Sequence, residues 1–239
     1  MSHRDGVVAV DRALALLEAF DDARTSLSLG ELAAATGLVK STALRLAASL
    51  ERAAFLRRSA DGRYRLGPAL ARLGARYQAS YDLGRSVQPA LERLAARSGE
   101  SASFYVREGD ERVCLHRVNA PWHGLLHVVH VGSRFPYQTG AAGQVIRVFD
   151  EPQAPDPDGV RGTLVAMSAA DRTLSDTAAL AAPVFGADGA FVGAISLVGP
   201  ASRFGERLLP RLRREVLDTA RQVSKALGAP LTPYEHQAA

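Results

Sequence analysis

Apolar residues recur at helical spacing in three short segments near the start of the chain. In residues 10–20 (VDRALALLEAF), Val10, Ala13, Leu14, Leu17 and Phe20 share one face, which predicts a short amphipathic helix with that face inward. Ser28-Leu29-Gly30-Glu31 has the spacing of a capping box, in which serine and glutamate side chains each satisfy a free amide of the first turn. A second helix therefore starts there and runs to about Thr36, with Gly37 suited to the positive φ of a tight interhelical turn. In residues 36–50 (TGLVKSTALRLAASL), Ala43, Leu46, Ala47 and Leu50 fall at i, i+3, i+4 and i+7, so a third helix buries that stripe. Its remaining faces bring Lys40, Ser41, Thr42 and Arg45 together at the amino-terminal end, a set suited to phosphates and base edges. Taken alone, the stretch also reads as a core helix with a solvated polar face.

The adjoining segment narrows that choice. Phe55-Leu56-Arg57-Arg58 and Arg63-Tyr64-Arg65-Leu66 flank an Asp61-Gly62 turn, the signature of a β-hairpin. Three helices and an arginine-bearing hairpin make a winged helix-turn-helix, with the third helix in the major groove and Arg57, Arg58 and Arg63 near phosphates or the minor groove. Residues 68–78 then hold Leu70, Leu73 and Tyr77 at helical spacing behind Pro68, and residues 83–97 place Val87, Leu91 and Leu94 on one inner face ahead of Gly99. Beyond this the period changes. Strands are expected at 101–107, 111–118, 125–131, 178–185 and 191–198, and helices at 139–149 and 206–227. Strands in hairpins with helices around them indicate an antiparallel α+β domain. The expected organisation is a DNA-binding domain over 1–67, a linker helix over 68–82 and a second domain over 83–239.

The chain is 239 residues long with a formal net charge of +4, and the position of that charge supports a polyanionic partner. Through Arg76 there are 12 basic and 8 acidic residues, which leaves 17 of each in the remainder. Residues 40–65 carry seven basic residues against Glu51 and Asp61. No uninterrupted apolar run of about 18 residues appears and no basic segment precedes an apolar one at the start, so no membrane partner and a cytoplasmic location are expected. The single cysteine, Cys114, forms no internal disulfide, and the six histidines lack metal-ligand spacing. No metal or cofactor is expected.

TGLVKSTALRL followed by FLRR and GRYRLGPALARLG resembles the DNA-binding half of the IclR family of bacterial transcriptional regulators. Val39 departs from the family's usual proline at the first helical turn. Leu44 stands where many members carry a polar or aromatic residue; it either meets a thymine methyl or packs on the first helix. The resemblance implies an α+β protein of two domains, a winged helix-turn-helix joined by the linker helix to a GAF-like effector-binding domain. It also implies a ligand-responsive regulator, with repression favoured over activation. Its partners would be a double-stranded, pseudo-palindromic operator and a small-molecule effector, and its assembly a homodimer or a dimer of dimers.

TGAAGQVI (residues 139–146) resembles the family's helix opening at the effector site, with Gln144 in place of the usual lysine; Gly140 and Ala141 there permit close approach of a ligand or close helix-to-sheet packing. Positions that are polar in members binding small oxo-acids are Ala169 (with Asp171 two residues on), Ala179, Ser196 and Val198 here, and only Ser196 is kept. Such a site serves an anion poorly, which implies a more apolar or aromatic effector walled by Phe104, Leu125, Leu126 and Phe135. The loop at residues 150–159 is shorter than in most members, which puts the cover of the cavity in question.

Cys114 and His116 alternate on one expected strand and so share a face, as a thiolate pair would, but a buried structural cysteine fits the surroundings better. No catalytic residue is assigned. A rival reading is a DNA-binding architectural or interaction protein whose second domain has lost its ligand.

Overall fold

The computed structural model describes residues 6–21, 23–80, 83–120, 129–169 and 177–235. The chain divides into two compact units, Met1–Ser80 and Tyr81–Ala239.

The first unit comprises α1 (Val8–Glu18), α2 (Leu29–Thr36), α3 (Lys40–Arg52), a hairpin of β1 (Leu56–Arg58) and β2 (Tyr64–Leu66), and α4 (Pro68–Ser80). The capping box forms as expected: the Glu31 amide donates to Ser28 Oγ at 3.3 Å and the Ser28 amide to Glu31 Oε2 at 2.6 Å. Gly37 closes α2 at φ +66°. Ala43 and Ala47 are fully buried, and Leu46 and Leu50 pack against the same core with Leu16, Leu32, Leu56 and Tyr64. Two alanines at the centre of this stripe bring α3 close to its neighbours.

α1 departs from its expected orientation. Leu16 and Ala19 are buried, while Val10 and Leu14 are 53% and 52% exposed. A helix of only three turns buries a narrow strip, and here the strip centres on Leu16, which leaves Val7, Val10 and Leu14 as a second apolar line facing solvent. At the other end of the unit the hairpin returns tightly onto the end of α3. The Gly67 amide donates to Phe55 O at 2.7 Å, and a β-carbon at Gly67 would lie 2.2 Å from Ala54 O.

The second unit is built on one antiparallel sheet in the order β5-β4-β3-β8-β7-β6. Its elements in chain order are α5 (Leu83–Ser98), β3 (Ser101–Glu108), β4 (Glu111–Val118), β5 (Arg134–Pro136), α6 (Gly140–Asp150), α7 (Val160–Thr163), β6 (Ala166–Ala169), β7 (Thr177–Phe185), β8 (Phe191–Pro200), α8 (Leu209–Ala226) and α9 (Thr232–Glu235). One sheet face meets α5 and α8 through Val87, Leu91, Leu94, Phe104, Ile195 and Val216; α6 covers the other through Tyr105, Val145, Ile146, Ala181 and Ala194. The strands bury both faces, so β7 and β8 read as nearly continuous apolar runs.

Short elements escaped the pattern: β5, β6, α7 and α9 span three or four residues each, too few for a period to show. The strand expected at 125–131 is not found where it can be judged. Residues 125–128 lie outside the described residues, and Val129 to Val131 carry no strand. β4 holds the most consequential irregularity. Phe104 pairs with His116 and Tyr105 with Cys114, so Leu115 is an extra residue bulged out of the ladder.

Glu100, between α5 and β3, is 1% exposed; Arg203 Nε donates to its Oε1 at 2.8 Å, and Oε2 has no hydrogen-bond partner. Burial pushes its carboxyl up to about 7 despite the arginine.

Two effects on stability are expected. Gly67→Ala should destabilise the first unit by about 1–3 kcal/mol, because the added methyl meets backbone rather than a flexible side chain; urea denaturation monitored by circular dichroism checks this. A carboxyl whose folded value is raised favours the native state at low pH and loses that contribution as pH rises toward 7. Glu100→Gln should therefore raise the melting temperature relative to wild type at pH 8, and the gain should vanish near pH 5.

Candidate nucleic-acid interface and ligand cavity

Burial of Ala43 and Ala47 turns the opposite face of α3 outward. Lys40, Ser41, Leu44 and Arg45 are exposed, and Thr42 is half-buried. Leu44 is 44% exposed and is not among the side chains packed on this unit's core. Ser41 and Arg45 stand one turn apart on this face, placing a hydroxyl beside a guanidinium.

In the hairpin, Arg57 pairs with Arg65 across the two strands and both are exposed. Neither makes an ion pair or hydrogen bond within the described residues, so two adjacent guanidiniums are left to solvent. Arg65 completes a pair that a strand-by-strand reading of the sequence does not reveal, because pairing depends on register. Arg58 is also exposed; it lies over the Tyr64 ring at 5.6 Å, and its Nε donates to Gly62 O at 3.3 Å.

Arg63 does not join them. Its Nη2 donates to Ser26 O at 2.7 Å and to Glu31 Oε2 at 2.9 Å, and its Nε to Ser26 Oγ at 3.2 Å. The guanidinium is spent on pinning the wing to the start of α2, using the carboxylate that the capping box already holds in place. In this structure Arg63, expected at the DNA, is engaged as a tie between the wing and α2.

In the second unit a cavity of about 430 Å³ lies between the sheet and the start of α6. Of the residues expected at an effector site, Phe135, Gly140, Ala141, Ala179, Ser196 and Val198 line it together. Phe104 does not. It is fully buried in the core on the opposite sheet face, and the neighbouring Tyr105 lines the cavity instead, since successive strand residues point to opposite faces. Leu125, Leu126 and Asp171 lie outside the described residues.

The cavity also contains groups that sequence reasoning missed, above all Arg112 and Arg117 from β4, with Ser168 from β6. The two arginines lie five positions apart, an odd spacing that in a regular strand would point them to opposite faces. The bulge at Leu115 reverses the alternation and brings both to the cavity. The expectation of a site without polar partners rests on Ala179 and Val198; the cavity lining also includes Arg112 and Arg117 from another strand.

Arg112 braces the entry to α6. Its Nη1 donates to Pro136 O at 2.8 Å and to Thr139 Oγ1 at 3.0 Å, and its guanidinium lies 5.4 Å from the Tyr105 ring centre and 5.0 Å from that of Phe135. The Ala141 amide donates to Ser168 Oγ at 3.1 Å, so this amide of the helix start is satisfied within the protein. Gly140 takes φ +66°, and a β-carbon there would make ordinary contact, at 3.8 Å, with both Arg112 Nη2 and Ser168 Oγ.

The short loop after α6 is held from both sides. Arg107 Nη1 donates to Asp150 Oδ2 at 2.9 Å and to Glu151 Oε1 at 2.8 Å, and Arg161 Nη2 to the carbonyls of Val148, Glu151, Pro152 and Ala154.

The same bulge separates Cys114 from His116. Cys114 faces the α6 side, and burial pushes its thiol up to about 11; His116 sits beside Phe104 on the other face, its ring 6.5 Å away, and burial lowers its affinity for a proton. The shared face expected of the two residues does not exist, and the thiol is held protonated.

Comparison with known proteins accounts for both units. The model of the IclR helix-turn-helix domain matches residues 9–60, and that of the bacterial transcriptional regulator IclR C-terminal domain matches residues 75–155 and 158–225. The HTH-type transcriptional regulator KipR of Bacillus subtilis is 29% identical over 243 residues, covering 92% of this chain and 96% of that protein. The glycerol operon regulatory protein of Streptomyces griseus is 30% identical over 248 residues, covering 93% and 97%. Among solved structures, an IclR transcriptional regulator from Alicyclobacillus acidocaldarius superposes with a TM-score of 0.81 at 25% identity, covering 94% and 100%. With an exposed polar helix and arginine wing in one unit and a lined cavity in the other, the chain belongs to the IclR family of transcriptional regulators.

Proposed function

We propose that this regulator works in the cytoplasm as a homodimer that presents two α3 helices to the half-sites of a pseudo-palindromic operator. The observation that carries the reading is the division of labour on the first unit's surface. Ser41, Leu44 and Arg45 project from α3 toward base edges, and Lys40 toward phosphate. Arg57 and Arg65, with Arg58 beside them, supply sequence-independent charge from the wing. The solvent-facing line of Val7, Val10 and Leu14 on α1 supports pairing of two chains, since it leaves a continuous apolar stripe without a partner in the monomer.

The cavity under α6 is the effector site in this reading, with Tyr105, Phe135, Val129 and Val198 as walls for an apolar or aromatic body. Effector bound there acts through residues 68–82 and shifts the population between states of different DNA affinity, by as much as its own affinity differs between them.

Each role has its own outcome in fluorescence anisotropy on the DNA upstream of the gene, titrated at several salt concentrations against a scrambled duplex. Arg45→Ala should cost about 1–3 kcal/mol and relax specificity at one base pair. Arg57→Ala and Arg65→Ala should weaken binding to every duplex and each reduce the salt slope by about one. Equal loss on all sequences for Arg45→Ala would reassign Arg45 to phosphate. Leu14→Glu should shift the protein toward monomer in analytical ultracentrifugation; an unchanged dimer would remove α1 from the interface.

A further inference from the structure

The second unit carries 17 basic and 17 acidic residues, and the two signs are not evenly mixed. α5 and α8 together hold eight basic side chains against Glu92, Glu215 and Asp218, so the rest of the unit has an acidic surplus of the same size, in positions such as Glu108, Asp110, Asp156 and Asp158. The two helices lie on one face of the sheet, with Val87, Leu91 and Leu94 of α5 and Leu212, Val216 and Val223 of α8 inward. Arg211 Nη2 donates to Arg97 O at 2.9 Å, which joins the start of α8 to the end of α5. Helical spacing then turns the charges outward. Arg214, Arg221 and Lys225 fall at i, i+7 and i+11 on the side of α8 opposite its buried line, and Arg85 and Arg93 are exposed on α5.

The neighbouring acids leave these cations unmatched. Glu215 pairs with Arg211 at 2.9 Å, and Glu92 accepts from Gln88 Nε2 at 3.3 Å. Asp218 stands one turn from both Arg214 and Arg221 and pairs with neither. Among the described residues, Arg85, Arg93, Arg214, Arg221 and Lys225 make no ion pair and no side-chain hydrogen bond. Cations gathered on one face repel one another and favour an anionic partner.

The composition of the face selects that partner. No large apolar side chain of α5 or α8 is exposed among the described residues. A protein partner docks around a buried aromatic or aliphatic anchor, and a membrane surface takes up apolar residues along with the cations. A bare row of cations on a rigid helix suits a polymer whose negative charges repeat at fixed spacing, and the first unit of this regulator binds such a polymer.

We propose that the outward face of α5 and α8 is a second DNA surface, which takes backbone phosphates of the duplex flanking the operator and reads no bases. Arg214, Arg221 and Lys225 form its row on α8, Arg85 and Arg93 its row on α5, and Asp218 is the acid that weakens it. Tethering by the first unit raises the effective concentration of flanking duplex, so contacts that are weak one by one suffice. The surface adds affinity and salt dependence without adding sequence specificity.

The test is fluorescence anisotropy of the full-length protein on two duplexes from the DNA upstream of the gene, one trimmed to the footprinted site and one extended by about 25 base pairs on each side. Wild type should bind the longer duplex about tenfold more tightly, with a salt slope steeper by about two or more. The triple variant Arg214→Gln, Arg221→Gln, Lys225→Gln should lose that difference and bind the trimmed duplex as wild type does. Should the triple variant fail to fold, Asp218→Asn removes the opposing charge and should tighten binding to the longer duplex about twofold to threefold; no change would then sink the idea.

Equal affinity of wild type for the two duplexes, or a triple variant that keeps the difference, overturns the proposal. Equal loss on both duplexes does the same, because it places the contact inside the operator. A triple variant with wild-type DNA binding that sediments as a smaller species overturns it too, and assigns the face to a contact between copies. Arg45→Ala separates this surface from the role of α3: it should weaken binding to both duplexes alike and preserve the difference between them. If Arg45→Ala changes neither duplex while the triple variant loses the difference, the reading of α3 falls and the flanking surface stands.

Discussion

One extra residue in β4 decides the chemistry of the second unit. Because Leu115 bulges from the ladder, residues before and after it exchange faces, so that Arg112, Cys114 and Arg117 look toward α6 while His116 turns to the core beside Phe104. Without the bulge, the strand would deliver one arginine to each face and bury a cation against α5 and α8. The cavity's polarity, the separation of the thiol from the imidazole and the bracing of α6 by Arg112 all depend on that local irregularity.

The cavity exists because α6 begins with small residues. Gly140, Ala141 and Ala142 keep the helix start thin above Ala179 and Ala178, while Val145 and Ile146 one turn later fill the space against Ala181 and Ala194. Gly143 lets the turn before α6 fold back onto the helix: a β-carbon there would lie 2.4 Å from Tyr137 O. One helix therefore seals the sheet along most of its length and stands off it at its start. Closing the loop after α6 falls to Arg107 and Arg161, whose side chains gather its carboxylates and carbonyls.

In the first unit the same economy of size operates. Ala43 and Ala47 bring α3 close to its neighbours, and Gly67 does the same for the wing's return onto Ala54. Glu31 then serves two neighbours at once, capping α2 through the Ser28 amide and receiving Arg63 from the wing. The wing is thereby tied to the helix-turn-helix, and Arg57, Arg58 and Arg65 remain exposed on it.

Local periodicity and turn chemistry carried the three helices, the capping box, the Gly37 turn, the Asp61-Gly62 hairpin and the alternation of long strands with helices in the second unit, because each depends on residues within a few positions of one another. The exposed polar face of α3 came from its buried stripe for the same reason. Other features required the tertiary structure. The inward face of α1 depends on what α1 packs against, so Leu16 rather than Val10 and Leu14 became its centre. Arg63 reads like any wing arginine until Glu31, 32 residues away in the chain, comes within 2.9 Å of it. Arg112 and Arg117 carry opposite parity in the sequence, and only the register of β4 against β3 reveals the bulge that unites them. The chain by itself thus determined which elements form, since those interactions are local, and the packing of distant segments decided which of their polar side chains are engaged within the protein and which face a ligand.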